Sequence, residues 1–222
     1  MIELKSVSKR FDDLLIVNNL SLSIADGEFV AFMGPSGCGK TTILHMIGGI
    51  EPASSGEIII DGENMNNRRV RERLMKHSIG FLFQNFALVD KKTVRENINL
   101  VPKDCRSGVS LLEALAFVGL SEKIDAKVYK LSGGEQQRVA VARLLFKRCS
   151  IILADEPTGS LDEKNAETVM NLLMELNKMG RTIVMVTHNE SHRRYASRVV
   201  DLSSVNEQEN RNSLANTNKM AL

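Results

Sequence analysis

The spacing of apolar positions changes several times along the chain, and each change predicts an element. Ile2, Leu4 and Val7 alternate in part with polar residues up to Phe11. Leu20-Ser21-Leu22-Ser23-Ile24 alternates strictly, as a half-buried strand does, and Asp26-Gly27 is a turn signal after it. These stretches predict a small antiparallel β-layer. Phe29-Val30-Ala31-Phe32-Met33 is instead apolar throughout, the pattern of a strand covered on both faces. Further strands are predicted at 56–62, 79–83, 151–154 and 182–187, with a last one at 198–202. Helices are predicted from the end of the glycine-rich stretch 34–41 to about Ile50, over 68–76, after Gly134 and over 162–179. Residues 93–130 read as helical with breaks at Pro102, Gly108 and Gly119, and Leu111, Leu112, Leu115, Ala116 and Val118 form an apolar stripe.

Strands alternating with helices predict an α/β fold with a mostly parallel sheet. One domain is expected over 1–204, with a helical subdomain inserted at about 85–148. Residues 205–222 are polar and Asn-rich and are expected to be a mobile tail.

Composition narrows the function little. A formal net charge of +2, from scattered Lys and Arg, gives no electrostatic footprint for nucleic acid. Cys38, Cys105 and Cys149 are an odd number without metal-ligand spacing and read as thiols in a reducing compartment. Charged Lys5, Lys9 and Arg10 stand where a signal peptide needs an apolar core, and no apolar run approaches the roughly 20 residues that cross a bilayer. The expected location is cytoplasmic, or the cytoplasmic face of a membrane.

Candidate chemistry changes the picture. Gly34-Pro35-Ser36-Gly37-Cys38-Gly39-Lys40-Thr41 fits the G-x-x-x-x-G-K-[ST] phosphate loop at every fixed position, between a buried strand and a helix. Its N–H groups would cradle phosphates, Lys40 would reach the β/γ-phosphates and the Thr41 hydroxyl would hold Mg²⁺. The core is therefore expected to be of the P-loop NTPase type. Asp155 ends an apolar strand, where it can hold Mg²⁺ through water. Glu156, next to it, can orient or deprotonate an attacking water. His188 also ends a buried strand; it either touches the γ-phosphate or is structural. Phe11 either stacks on a base or fills a core. His45, His77 and His192 have no such placement. Ser132-Gly133-Gly134 reads as a turn before a helix, a second anion-binding feature.

Taken together, the motifs resemble the ATP-binding subunits of ABC transporters, over the chain to about residue 203. The resemblance rests on Phe11, the P-loop, Gln84, Leu131-Ser132-Gly133-Gly134-Glu135-Gln136-Gln137-Arg138, the acidic pair 155–156, Ser160-Leu161-Asp162 and His188. It implies ATP and Mg²⁺ as cofactors. ATP contacts would come from Phe11, the loop 34–41 with Thr42, and Gln84, and metal contacts from Thr41, Gln84 and Asp155. Lys40, Glu156 and His188 would carry catalysis. In this family two domains pack head to tail, so Ser132, Gly133, Gly134 and Glu135 would complete the partner's ATP site, and Asp162 would act across the interface. The implied partners are a second ATP-binding subunit and a transmembrane permease contacted near Gln84, with no nucleic acid. Met46-Ile47-Gly48-Gly49-Ile50 with Ser54-Ser55-Gly56 looks like the lipoprotein-releasing and macrolide-exporter group, and 83–94 looks like bacteriocin-export types. A regulatory membrane complex and a soluble ATPase acting on nucleic acid are the alternatives.

Overall fold

The computed structural model describes residues 1–202; the expected tail at 205–222 lies outside the described residues. Two sheets form. The first is antiparallel, with β1 (Ile2–Phe11), β2 (Leu14–Ile24), β4 (Ser55–Ile60) and β5 (Glu63–Asn64) in the order β2-β1-β4-β5. The alternation in β1 is partial for a local reason. Ser6 has φ of 49°, and the register with β2 shifts between Leu4 and Val7. One extra residue there moves the inward face from even to odd positions, so Ile2, Leu4 and Val7 are all buried.

The second sheet is parallel throughout, with β6 (Ile79–Leu82), β7 (Ile151–Asp155), β8 (Thr182–Val186), β3 (Phe29–Met33) and β9 (Arg198–Asp201) side by side in that order. Its continuous apolar runs follow from cover on both faces. Phe29, Ala31 and Met33 enter one core with α5 (Gly133–Phe146) and α6 (Glu163–Lys178). Val30 and Phe32 enter the other, with α1 (Lys40–Ile47), α2 (Arg68–His77) and the inner face of the antiparallel sheet.

The segment between β6 and β7 is more broken than its apolar stripe suggests. It holds α3 (Val94–Ile98), α4 (Leu111–Phe117) and 3₁₀ turns at 103–105, 121–123 and 128–130 before α5 begins. Both short helices open on a capping box, Thr93 with Glu96 and Ser110 with Glu113.

Several boundaries depart from expectation: β2 already begins at Leu14, well before the strict alternation at Leu20, and β4 ends at Ile60. Helix α1 stops at Ile47, because Gly49 turns left-handed at φ 73° and the N–H groups of Gly49 and Ile50 close back on Met46 O (3.1 Å) and His45 O (3.0 Å). Gly48, the C-cap, is glycine for space, since a Cβ on it would come within 2.0 Å of Phe81 Cζ. Gly133 and Gly134 are not a turn. They are the first two residues of α5, and Ser132 is the N-cap. The Ser132 side chain accepts from the Glu135 N–H while Glu135 accepts from the Ser132 N–H, so the sequence Ser-x-x-Glu starts the helix two residues earlier than the glycines imply.

Candidate nucleotide-binding site

Strands β7, β8 and β3 are neighbours, so their carboxyl ends bring together the acidic pair, His188 and the P-loop. The loop follows β3 and closes on Gly39, the N-cap of α1, at φ 94°. A Cβ there would lie 3.1 Å from both the backbone oxygen and Cγ2 of Ile16, so conformation and space both demand glycine. Lys40 folds back into the loop. Its Nζ donates to Gly34 O and Pro35 O, each at 2.8 Å, and lies 3.9 Å from Cys38 Sγ. The ammonium is thus held almost buried where phosphate oxygens would replace the two carbonyls.

Thr41 Oγ1 donates to Asp155 Oδ1 at 3.0 Å. Burial pushes the Asp155 carboxyl above its ordinary pKa, against the Thr41 hydrogen bond that lowers it. A cation at this point would offset that burial cost. The available donors are a hydroxyl, a carboxylate and, from Gln84, an amide oxygen, a hard oxygen set of the kind Mg²⁺ takes. Gln84 shares with His45, Asp155 and Ser160 a hollow of about 490 Å³, and its Nε2 lies 3.5 Å from Ser160 Oγ.

Glu156 has φ of 43°, a left-handed backbone that β-strand continuation would not allow. Its N–H donates to Val186 O at 3.0 Å, and Oε1 lies 2.8 Å from His188 Nδ1. Turning the chain at Glu156 aims its carboxylate into a cleft of about 370 Å³, lined also by Phe11, Ile16, Ser36, Gly37, Gly39, Lys40, Thr41 and Thr42. Phe11 is 43% exposed at the mouth of this cleft. It is not a core aromatic, and the Lys9 ammonium lies 4.6 Å from its ring centroid.

Ser132, Gly133, Gly134 and Glu135 line neither hollow. Gly134 is needed for contact rather than for a turn: a Cβ on it would lie 2.2 Å from Asn165 Oδ1. Asn165 in turn bonds Asp162 through its N–H (2.8 Å) and Nδ2 (2.7 Å), and accepts from Arg138 Nη1 at 3.0 Å. The N-termini of α5 and α6 are locked together by this group. The same bonds hold the Asp162 carboxyl below its usual pKa.

Residues 17–159 match the sequence family described as ABC transporter. The chain belongs to the ABC transporter family. It is 39% identical over 211 residues to the lipoprotein-releasing system ATP-binding protein LolD of Bacteroides fragilis, covering 91% of this chain and 97% of that protein. It is 40% identical over 212 residues to the macrolide export ATP-binding/permease protein MacB of Campylobacter jejuni, but spans only 33% of that longer protein. A dimeric ATP-binding cassette solved in a post-hydrolysis state with ADP and Pi superposes with a TM-score of 0.79 at 38% identity, over 90% of this chain and 94% of that one. No helix among the described residues is long and apolar enough to cross a membrane.

In this ABC cassette several residues that carry no role of their own in the sequence motifs lie near the site, His45 and His192 among them. His45 lies four residues after Thr41, on the same face of α1, and its Nε2 is 3.8 Å from Asp155 Oδ2 with no hydrogen-bond partner. The i, i+4 spacing from Thr41 was the available signal. His192 is buried between two hydroxyls, with Nε2 3.3 Å from Thr158 Oγ1 and Nδ1 3.2 Å from Thr187 Oγ1. It therefore ties the segment after Glu156 to the residue before His188. Gln137, wholly buried, donates from Nε2 to Pro157 O (2.5 Å) and Phe83 O (3.3 Å). It joins α5 to the loops that carry Glu156 and Gln84. The His192 and Gln137 contacts cross more than one element, so no local spacing announces them.

Proposed function

We propose that this chain is the ATP-binding and ATP-hydrolysing subunit of an ABC transporter, with 1–204 as the ATPase domain and about 85–148 as its helical part. The observation that carries the reading is the contact set at three adjacent strand ends: Lys40 inside the loop, Thr41 on Asp155, and Glu156 on His188. ATP would lie in the cleft between Phe11, stacked on the base, and the N–H groups of 34–42. Lys40 would exchange two carbonyls for β/γ-phosphate oxygens. Thr41, Asp155 and Gln84 would hold Mg²⁺, which when bound neutralises phosphate charge. Glu156 takes the proton of the attacking water, and His188, 2.8 Å away, positions the carboxylate and meets the γ-phosphate side.

The Ser132–Glu135 segment lies outside the cleft and serves a second copy, so the working unit is a pair of chains closing on two nucleotides. The likeness to LolD and MacB supports export or membrane extraction of a peptide, lipoprotein or similar substrate. The chain would sit on the cytoplasmic face, bound to a separate membrane permease. Substituting Ser132→Arg tests the two-chain reading. Equilibrium binding of a fluorescent ATP analogue to the monomer should be unchanged, and the ATP-dependent dimer should vanish from size-exclusion chromatography. Loss of monomer binding would refute this arrangement.

A further inference from the structure

A second group of metal-ligand atoms lies apart from the nucleotide cleft. His77 is the last residue of α2, and Asp104 and Cys105 stand in the 3₁₀ turn at 103–105. Cys105 Sγ is 3.7 Å from His77 Nδ1 and 3.7 Å from Asp104 Oδ1. All three ligand atoms lie within 4.8 Å of one another. Zinc bonds of about 2.3 Å to sulfur and about 2.0–2.1 Å to nitrogen or oxygen, at tetrahedral angles, put neighbouring ligands about 3.6 Å apart. The sulfur therefore already stands at the edge length of a zinc tetrahedron from both partners.

Cys105 is buried, His77 is half-buried and Asp104 is exposed, which leaves an entry on the Asp104 side. Lys76 Nζ bonds Asp104 Oδ2 at 2.7 Å and so turns Oδ1 toward the sulfur, as an outer partner orients a ligating carboxylate. The other nearby ammonium, Lys147, donates to Met75 O and Ile79 O. Arg148 N–H pins the Cys105 carbonyl at 2.7 Å.

We propose that His77, Asp104 and Cys105 form a zinc site that ties the end of α2 to the segment between β6 and β7. Zinc replaces the Cys105 thiol proton, which leaves to solvent. The imidazole and carboxylate contribute lone pairs, and water takes the fourth position. A thiolate, imidazole and carboxylate set selects zinc over Mg²⁺, which takes oxygen ligands. The sequence hid the site because 28 residues separate His77 from Cys105.

The test is a cobalt(II) titration of the reduced full chain, read by absorbance, followed by competition with zinc. One equivalent should give a thiolate-to-cobalt charge-transfer band that zinc abolishes. Cys105→Ser should remove the band and Cys149→Ser should keep it. Asp104→Ala, an exposed change that spares the core, should weaken cobalt binding about tenfold or more. No band in the unmodified chain, the same band in Cys105→Ser, or unchanged affinity in Asp104→Ala would each overturn the proposal.

Discussion

Helices α1 and α5 both open on glycines, and both present the positive end of a helix dipole, yet they are built for different tasks. At α1 the glycine precedes the helix in a left-handed conformation, and the loop wraps around the Lys40 ammonium. The acidic residues it works with belong to the same chain and are already in contact: Thr41 on Asp155, Glu156 on His188. At α5 the glycines are ordinary helical residues, the cap is closed by Ser132 and Glu135, and neither of the two hollows described above is lined by it. The contrast teaches that a helix end with its N–H groups is only half a site. What distinguishes the two is the set of groups that other elements bring up to them.

The largest expected effect comes from disabling the self-complete end. Glu156→Gln removes the group proposed to accept the proton, so phosphate release should fall about 10²–10⁴-fold while ATP binding persists. Wild-type turnover in that variant would end the distinction drawn here, since chemistry would then not reside at the α1 side. A smaller effect probes the α5 side. Gly134→Ala forces a Cβ onto Asn165 and should lower stability by about 1–3 kcal/mol, seen as a reduced melting temperature. Gly133→Ala meets nothing nearer than Phe86 Cζ at 3.6 Å and should be neutral or stabilising. Equal losses from both would show that the glycines are there for backbone freedom after all.

The smallest expected effect concerns the link behind the α1 side. Burial lowers the pKa of His192 from its ordinary 6.5. A histidine kept neutral by folding costs nothing above that pH, and the folded state loses stability as pH falls from about 6.5 toward the lowered value. Denaturant midpoints should therefore decline over that window, and His192→Leu should flatten the decline. An unchanged pH slope would remove His192 from the account.

Much of this was legible in the chain. The continuous apolar runs announced the covered sheet, and Gly34 to Thr41 announced its phosphate loop, because both signals are local in sequence. The paired residues Asp155 and Glu156 were legible for the same reason. Less visible were contacts made across elements: His45 on Asp155, His192 between Thr158 and Thr187, Asn165 beneath Gly134. The glycines of α5 misled in a specific way. Gly-Gly looks like a turn, and only the Ser132–Glu135 reciprocal cap shows that the helix has already begun.

Strand β3 sends alternate side chains into two separate cores and ends in the phosphate loop. A fluctuation that frees strand β3 would loosen packing on both faces of the sheet together, whereas one that frees α3 and α4 would loosen packing against one core alone. The strand beneath the phosphate loop is thus held from two sides, and the short helices between β6 and β7 from one.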